Sequence, residues 1–496
     1  MTTMWTILAL LAWAAGGSTG PIRTDPNNPH FFNYHGRPIL LITSAEHYGG
    51  VINKAFDYKT NFDTLRSFGL NYTRFYPGAY LESYDARNPF NTLGPSDADL
   101  IVPWARSSTP GYFKGGNKFD LDAWDPAYFA RMKDFIVKAA ERDIVVEICL
   151  FNAQWPESWP NSPLKASNNI QGVGDVDGPR DFQTLKNAAL VARQDAYVAK
   201  IVREVNRYDN VILEVCDEPI YTGTTAPDAS AWVDHLLQVI VDTEKSLPKK
   251  HLISQEKQGD VDFTGDARVG IVCSQYPGGD GGQLSTVDAL DIEYAHNKPA
   301  ECNESLYYPH TYKGDAITAS RVEAWEFMVG GGAAYNHLNA RFTATDARGN
   351  TPDNLQILTG FRNLKEFLYG FEFVKMRKDT TLLKSGLGAN AWWRASSEPG
   401  RQYALYLWHG TRVPNQLMTE TGSYREDLVL VPAAGDYSAE WINPVDGKVI
   451  ERFKLHHTGG ERHFTTPSYT VDAALRLRAL AAAPEKTGRA AAAGKK

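Results

Sequence analysis

Short apolar runs alternate with longer amphipathic segments from about residue 30 to residue 375. Eight of these runs have the length and the content of branched side chains that are typical of strands buried on both faces. They are Ile39–Ser44, Asn71–Tyr76, Ile144–Phe151, Val211–Cys216, His251–Gln255, Val269–Ser274, Pro299–Asn303 and Ala333–Leu338. The alternation predicts parallel strands that are joined by helical crossovers.

The segments between the runs repeat their apolar positions at the helical period. In Asp125–Arg142, Pro126 stands in the first turn and apolar side chains recur along one face. The other helical segments are Ala188–Arg207, Asp228–Ser246, Thr318–Val329 and Pro352–Tyr369. Eight strands alternating with helices predict an α/β fold, a (β/α)8 TIM barrel over residues 27–375. A doubly wound open sheet is the alternative, although no glycine-rich phosphate loop follows the first strand.

The pattern changes after about residue 380. Alternating apolar and polar positions, as in Gln402–Trp408 and Tyr437–Ile442, are separated by the turn signals Asn443-Pro444 and Asp446-Gly447. We therefore predict a small antiparallel β-sandwich domain over residues 380–480. The Ala-, Lys- and Gly-rich residues 481–496 have no apolar face and are expected to be disordered.

Composition restricts the partners of this chain. The net charge is -7 and the pI is about 6.0, whereas a protein that binds nucleic acid needs a basic face. Residues 1–20 contain an apolar run from Trp5 to Ala15 and a small-residue pattern at Ala12–Ala14, which predict a signal peptide and a secreted or periplasmic protein. No later run is long enough for a membrane span in the mature chain.

Two glutamates end strand-like runs and carry the candidate chemistry. Glu218 follows Val211–Cys216 and precedes Pro219, and Glu304 ends the run that begins at Pro299. Three βα units of about 30 residues fill the interval between them, so the acids belong to the fourth and seventh strands. Carboxylates on those strands can lie about 5.5 Å apart, the separation found in retaining glycosidases. The alternative for each acid is an ordinary ion pair at a strand end.

The segments Asp217-Glu218-Pro219 and Lys298-Pro299 to Glu304 resemble those of clan A glycoside hydrolases, most closely family 5-like enzymes with a C-terminal β domain. In that clan the fourth-strand motif is usually Asn-Glu-Pro, and the nucleophile follows the seventh-strand proline by five positions. The resemblance implies that Glu218 is the acid/base and Glu304 the nucleophile. It departs at Asp217, which replaces the usual Asn and accepts hydrogen bonds without donating them.

Further candidates for contacts with substrate stand near strand ends. They are Glu46, His47, Arg74, Asn152, Trp155, Asp217, Tyr276, Asn336 and His337. By the resemblance, Arg74 matches the second-strand arginine that keeps the nucleophile ionised, and Tyr276 matches the sixth-strand tyrosine that hydrogen-bonds it. Trp155 is a candidate stacking platform. Five rings in the long connections after the second and third strands are expected to be exposed: Tyr80, Trp104, Tyr112, Trp155 and Trp159.

Several alternatives stay open at the level of sequence. Glu301 is a competing nucleophile, but three residues before Glu304 it is expected to lie deeper and on the opposite strand face. Glu46, His47 and His337 are the residues of an alternative metal site. We predict neither a metal nor an organic cofactor, and a carbohydrate as the substrate. A non-catalytic carbohydrate-binding or surface-attachment protein on the same barrel is the rival interpretation.

Overall fold

The structure is a computed structural model, and it describes residues 20–46, 48–83, 91–273, 286–305, 314–413 and 416–480. The predicted signal peptide and the predicted disordered tail therefore lie outside the described residues, apart from Gly20. No helix within the described ranges has the length and apolar character that crossing a membrane requires.

The barrel half of the chain contains thirteen strands and seven helices among the described residues. In chain order they are β1 (Arg23–Thr24), β2 (Phe32–Tyr34), β3 (Arg37–Ile39), β4 (Leu41–Ala45), α1 (Tyr58–Ser67), β5 (Tyr72–Phe75), β6 (Trp104–Pro110), β7 (Asn117–Trp124), α2 (Pro126–Ala140), β8 (Val145–Asn152), α3 (Ala188–Val205), β9 (Val211–Asp217), α4 (Ala226–Lys245), β10 (Leu252–Glu256), β11 (Ile271–Cys273), α5 (Thr286–Glu293), β12 (Ala300–Ser305), α6 (Ala316–Val329), β13 (Ala334–Leu338) and α7 (Pro352–Tyr369). Strands β1–β3 form a small antiparallel sheet, and β6 pairs with β7.

Eight strands form one parallel sheet, in the spatial order β4-β13-β12-β11-β10-β9-β8-β5. Asn71 bridges the two end strands. Its backbone amide donates to the Ile42 carbonyl at 3.3 Å, its side-chain amide donates to the Leu40 carbonyl at 2.9 Å, and its side-chain oxygen accepts from the Ile42 amide at 3.2 Å. These bonds link the two end strands, so that the sheet forms a nearly closed barrel. All eight predicted strands are present, and the predicted TIM-barrel fold is confirmed.

The helices begin where the sequence supplies a cap. Asp125 accepts hydrogen bonds from the backbone amides of Ala127 and Tyr128, and Pro126 occupies the first turn, so α2 starts there. Its buried face carries the apolar side chains that recur at helical spacing. Such faces pack the helices against the outside of the barrel and keep its strands in register.

The C-terminal part is an antiparallel β-sandwich. Its strands are β14 (Arg377–Lys378), β15 (Leu383–Ser385), β16 (Ala391–Glu398), β17 (Gln402–Val413), β18 (Gln416–Thr419), β19 (Asp427–Leu430), β20 (Gly435–Ile442), β21 (Val449–His457), β22 (Arg462–Thr465) and β23 (Asp472–Ala479). One sheet has the order β14-β16-β17-β23-β20-β21 with β18 beside β17, and the other has the order β15-β19-β22. Leu428 and Phe464 of the smaller sheet share an apolar core with Leu405 and Trp441 of the larger one.

Helix α6 joins the barrel to the sandwich. Every residue from Ala319 to Val329 is buried, because one side of the helix packs on the barrel and the other on the larger β sheet. Trp325 stacks on Tyr406 with ring centroids 5.5 Å apart. Arg321 pairs with Asp472 through two hydrogen bonds of 3.0 and 3.1 Å. The sandwich therefore packs against the barrel through a continuous buried contact.

Candidate functional site

The candidate acids lie where barrel folds carry their active sites. Asp217 is the last residue of β9 and Glu218 follows it, while Glu304 is the penultimate residue of β12. Counted around the barrel in chain order, β9 is the fourth strand and β12 the seventh. Both acids therefore stand at the C-terminal ends of the strands, where the loops of a barrel assemble its site.

Glu218 leaves the strand in a left-handed conformation. Its φ is 52°, a value that non-glycine residues rarely adopt and that costs about 1–3 kcal/mol. Its backbone amide donates to the carboxylate of Glu256, the last residue of β10. The turn changes the direction of the chain just before Pro219. Asp217 and Glu218, which would point to opposite faces of a regular strand, can thus both face the site.

The carboxyl of Glu218 is half-buried, and Trp155 Nε1 donates to its Oε2 at 2.9 Å. Burial raises the pKa of Glu218 well above its usual range, and the negative charges of Asp217, Glu304 and Glu82 raise it further. The hydrogen bond from Trp155 acts in the opposite direction because it favours the charged form. This environment favours the protonated form of Glu218.

Glu304 differs from Glu218 in that a cation lies close to its carboxyl. Its side chain is 6% exposed, and Arg74 Nη1 lies 3.6 Å from its Oε2. The register of β12 against β13 is irregular between Cys302 and Ser305. This irregularity changes which side chains of β12 point into the barrel beyond that place.

The expectation that Glu301 lies on the opposite face from Glu304 is wrong. Glu301 accepts a hydrogen bond of 2.5 Å from Tyr72 OH, which comes from the other side of the barrel, so its side chain also faces the interior. It does lie deeper than Glu304. There it shares Tyr72 with Glu147, and burial raises the pKa of Glu301 to about 7. The irregular register explains how side chains three residues apart both point inward.

Arg74 connects the carboxylates of the site and is fully buried. Its Nε and Nη2 donate to the two oxygens of Glu214 at 2.8 and 2.9 Å, a bidentate pair. Nη2 also lies 3.1 Å from Asp217 Oδ1. The guanidinium is therefore shared between Glu214, Asp217 and Glu304. That it keeps Glu304 ionised stays a prediction.

Asn152 and Asp217 are brought together at the ends of β8 and β9. Asn152 Nδ2 donates to Asp217 Oδ2 at 3.1 Å and lies 3.2 Å from Tyr76 OH. Tyr76 OH donates to the same oxygen of Asp217. Tyr48 stacks on the Tyr76 ring, with centroids 5.3 Å apart. These contacts form a buried polar network directly beside Glu218.

Three other predicted residues lie at the same end of the barrel. Glu46 accepts from the backbone amides of Tyr48 and Gly49, and burial raises the pKa of its carboxyl to about 8. His337 Nδ1 and Ser44 Oγ are 2.9 Å apart. Asn336 Nδ2 donates to the Asn303 carbonyl at 3.0 Å. His47 and Tyr276 lie outside the described residues.

The prediction of exposed rings in the long connections is wrong for most of them. Tyr80, Trp104, Tyr112 and Trp159 are all buried. They pack in the loop interior, where for instance Trp104 stacks on Tyr197. Trp155 alone among the five predicted rings is half-buried, and it holds Glu218 by a hydrogen bond while its ring contacts Tyr221 at 4.8 Å.

Four functional side chains were missed at the sequence level: Tyr76, Glu82, Glu214 and Glu256. Tyr76 stands two residues after Arg74, so strand periodicity places both side chains on one face. An acid inside the apolar run of β9, as Glu214 is, signals a buried cation. Glu256 is the last residue of β10, a position at a strand end like that of Glu218 after β9, and the same criterion could have identified it. No sequence signal marks Glu82. Its carboxyl accepts a hydrogen bond from Tyr80 OH, and burial raises the pKa of Glu82 to about 8.

No group of three or more His, Cys, Asp or Glu side chains within the described ranges is arranged to hold a metal ion. The alternative metal site included His47, which lies outside those ranges. That alternative and the predicted absence of a cofactor both remain at the level of prediction.

No protein-family model matches the sequence, and no curated protein is similar to it in sequence. Solved structures are similar in fold. A glycoside hydrolase family 5 protein from Bacteroides vulgatus ATCC 8482 superposes with a TM-score of 0.59 at 14% identity, covering 93% of this chain and 94% of that one. A second structure, a glycoside hydrolase, gives 0.59 at 13% identity and covers 93% and 97%. Across barrel and sandwich together, this chain therefore has the fold of family 5-like glycoside hydrolases.

Proposed function

We propose that this protein is a secreted, retaining glycoside hydrolase that cleaves O-glycosidic bonds of a polysaccharide or oligosaccharide. The observation that carries the proposal is the contrast between two glutamates at the C-terminal ends of the fourth and seventh barrel strands. Burial and neighbouring charges favour the protonated form of Glu218, whereas Glu304 lies beside the buried Arg74. Two carboxyl groups in different protonation states are what double displacement requires.

In the first step Glu304 attacks the anomeric carbon, and Glu218 gives its proton to the leaving glycosidic oxygen. The bond to the leaving group breaks as the bond to Glu304 Oε forms, through an oxocarbenium-like state. The Arg74 guanidinium keeps Glu304 charged before attack. Departure of the first sugar leaves a glycosyl-enzyme ester and an ionised Glu218.

In the second step Glu218 acts as the base. It takes a proton from water, and the water oxygen attacks the anomeric carbon and releases Glu304. Once Glu304 is esterified it carries no charge, so one of the charges that raises the pKa of Glu218 is gone. The loss of that charge lowers the pKa of Glu218 and suits it to the role of base.

The surroundings support a carbohydrate as the substrate. The half-buried Trp155 and the exposed Tyr221 present neighbouring rings beside Glu218, and aromatic faces provide apolar contact area next to a polar site. Secretion is supported by the apolar N-terminal run from Trp5 to Ala15.

The test is hydrolysis of aryl glycosides and of plant and bacterial polysaccharides by the wild type, Glu218→Ala and Glu304→Ala. We expect both variants to lose activity by more than a hundredfold. Azide should restore Glu218→Ala on an activated aryl glycoside, because this small anion attacks the anomeric carbon of the glycosyl-enzyme itself, releases Glu304 and needs no base. Proton NMR of the sugar that the second step releases from Glu304, recorded before mutarotation, should show retained anomeric configuration.

Glu372→Ala, an exposed acid far from the barrel mouth, is the matched control and should retain wild-type rates. Inverted product, or full activity in either site variant, would contradict the mechanism. A wild type that binds a polysaccharide and hydrolyses nothing on the panel would favour the rival binding protein.

A further inference from the structure

Asp217 replaces the asparagine that the resemblance leads one to expect before the acid/base, and the structure shows what surrounds it. The side chain is 1% exposed. Its Oδ1 lies 3.1 Å from Arg74 Nη2. Its Oδ2 accepts hydrogen bonds from Tyr76 OH and, at 3.1 Å, from Asn152 Nδ2. Oδ1 is thus ion-paired with Arg74 and Oδ2 accepts two hydrogen bonds, all from the second and third strands of the barrel and their ends.

The contacts in the structure suit a carboxylate. A guanidinium has no acceptor, so the atom that faces Arg74 has to be an oxygen. Tyr76 OH and Asn152 Nδ2 both donate to the second oxygen. An asparagine could keep its oxygen toward Arg74 only if the amide of Asn152 turned over and the hydroxyl of Tyr76 accepted a hydrogen bond. The observed donors therefore favour a charged residue at this position.

The charge is fixed in position as well as in sign. Arg74 and Tyr76 belong to the second barrel strand and its end, and Asn152 ends the third. Arg74 is itself held by its bidentate pair with Glu214. The left-handed turn at Glu218 lets its carboxyl face the same site as that of Asp217, so the donors fix where the charge of Asp217 acts on Glu218.

We propose that Asp217 is a positioning residue that holds a fixed negative charge beside Glu218, and that this charge keeps the acid/base protonated until the substrate is bound. The proposal rests on the function proposed above. It assigns to Asp217 an action through Glu218 and not a contact with the sugar. The aspartate that stands in place of the expected asparagine then favours the protonated form of Glu218.

The electrostatics agree with this geometry. Burial contributes most to the raised pKa of Glu218, and the charge of Asp217 is the next contribution, ahead of that of Glu304. A negative charge beside a carboxyl disfavours its ionised form. Removing the charge of Asp217 while keeping its shape should therefore lower the pKa of Glu218.

The test needs no substrate, because Trp155 reports on Glu218. Its indole Nε1–H donates to Glu218 Oε2 at 2.9 Å, so the ¹⁵N and ¹H shifts of that group should follow the ionisation of the carboxyl. The experiment is a pH titration of ¹⁵N-tryptophan-labelled full-length protein, with the resonance assigned by Trp155→Phe. Glu218→Gln should abolish the transition and identifies it as that of Glu218.

We expect Asp217→Asn to lower the midpoint by about one pH unit or more. Asp217→Ser removes the same charge with a smaller side chain and serves if the asparagine variant does not fold. Asn152→Ala is the matched control. It disturbs the same network and keeps every charge, so its midpoint should stay close to that of the wild type.

A midpoint that is the same in the wild type and in a folded, uncharged variant would overturn the proposal. So would an equal shift in Asn152→Ala, because the network and not the charge would then be responsible. Failure of the proposed function is a separate result. A wild type that hydrolyses no glycoside would contradict the enzyme, while the titration would still decide whether Asp217 controls the proton on Glu218.

Discussion

At the scale of single residues, the site depends on how one cation is divided among several acids. Arg74 lies within 4 Å of four carboxylates, those of Glu147, Glu214, Asp217 and Glu304. All are buried or nearly so, and uncompensated buried charges are costly. The same guanidinium therefore compensates the charge of the barrel interior and lies beside Glu304, the proposed nucleophile.

Replacing Arg74 with Met should reduce the free energy of unfolding by about 3–5 kcal/mol, because it leaves buried carboxylates without their cation. Urea unfolding followed by circular dichroism measures this loss. Arg74→Lys keeps a charge but loses the bidentate geometry. Its free energy of unfolding should lie between those of the wild type and Arg74→Met. Arg180→Met, at an exposed ion pair, should change stability by less than about 0.5 kcal/mol. An Arg74→Met protein as stable as the wild type would contradict this account.

Trp155→Phe should move the alkaline limit of activity upward. The indole hydrogen bond favours the charged form of Glu218, so its loss raises the pKa of that group. A general acid works below its pKa, and a higher pKa extends activity to higher pH. The pH dependence of kcat/KM on an aryl glycoside is the measurement. An alkaline limb that moves downward would show that Trp155 does not act through this bond.

At the scale of elements, the strands of the barrel are regular along most of their length and irregular near the two candidate catalytic acids. The parallel strands pair in steady register along most of the sheet. The departures are the left-handed residue Glu218 after β9 and the shifted register near the end of β12. Each departure places a candidate catalytic acid, as is common for strained or bulged backbone next to active sites.

Asn71→Ala should weaken the closure of the barrel between β4 and β5. The variant loses two hydrogen bonds between its side chain and the backbone of Leu40 and Ile42. At about 0.5–1.5 kcal/mol for each bond, the expected loss of stability is about 1–3 kcal/mol. Urea denaturation measures the loss, and Asn350→Ala at an exposed position is the control. Equal stability of the two variants would mean that Asn71 does not close the sheet.

At the scale of the whole molecule, the β-sandwich completes the packing of the barrel. Helix α6 is buried on all sides, which a helix on the outside of a free-standing barrel would not be. Trp325 of that helix and Tyr406 of the sandwich are in one apolar cluster. The two parts are therefore expected to unfold together.

Arg321→Ala tests this coupling, since Arg321 on α6 pairs with Asp472 on β23. Both side chains are nearly buried, so the variant leaves Asp472 uncompensated and should lose about 3–5 kcal/mol. Thermal unfolding should still show a single transition at a lower Tm. Arg362→Ala, at a half-exposed pair on α7, should change little. Two separate transitions in the wild type would contradict a shared core.

The barrel could be predicted because its signals are local. The eight strands are runs such as Val211–Cys216, whose uniform apolar character follows from burial on both faces. The positions of Glu218 and Glu304 on the fourth and seventh strands followed from counting those runs. The environments of the acids could not be predicted in this way. The side chain that holds Glu218, the indole of Trp155, comes from a connection whose path no periodicity describes.

The sequence by itself thus determined the order of the elements, the barrel and sandwich architecture and the strands on which the two acids stand. It did so because burial imposes a period on each element that can be read residue by residue. Only the tertiary structure decided that Glu301 shares the interior with Glu304, that the rings of Tyr80 and Trp104 are buried, and that Asp217 faces three donors. Those outcomes depend on contacts between distant strands and loops, whose distances and charges no local pattern contains.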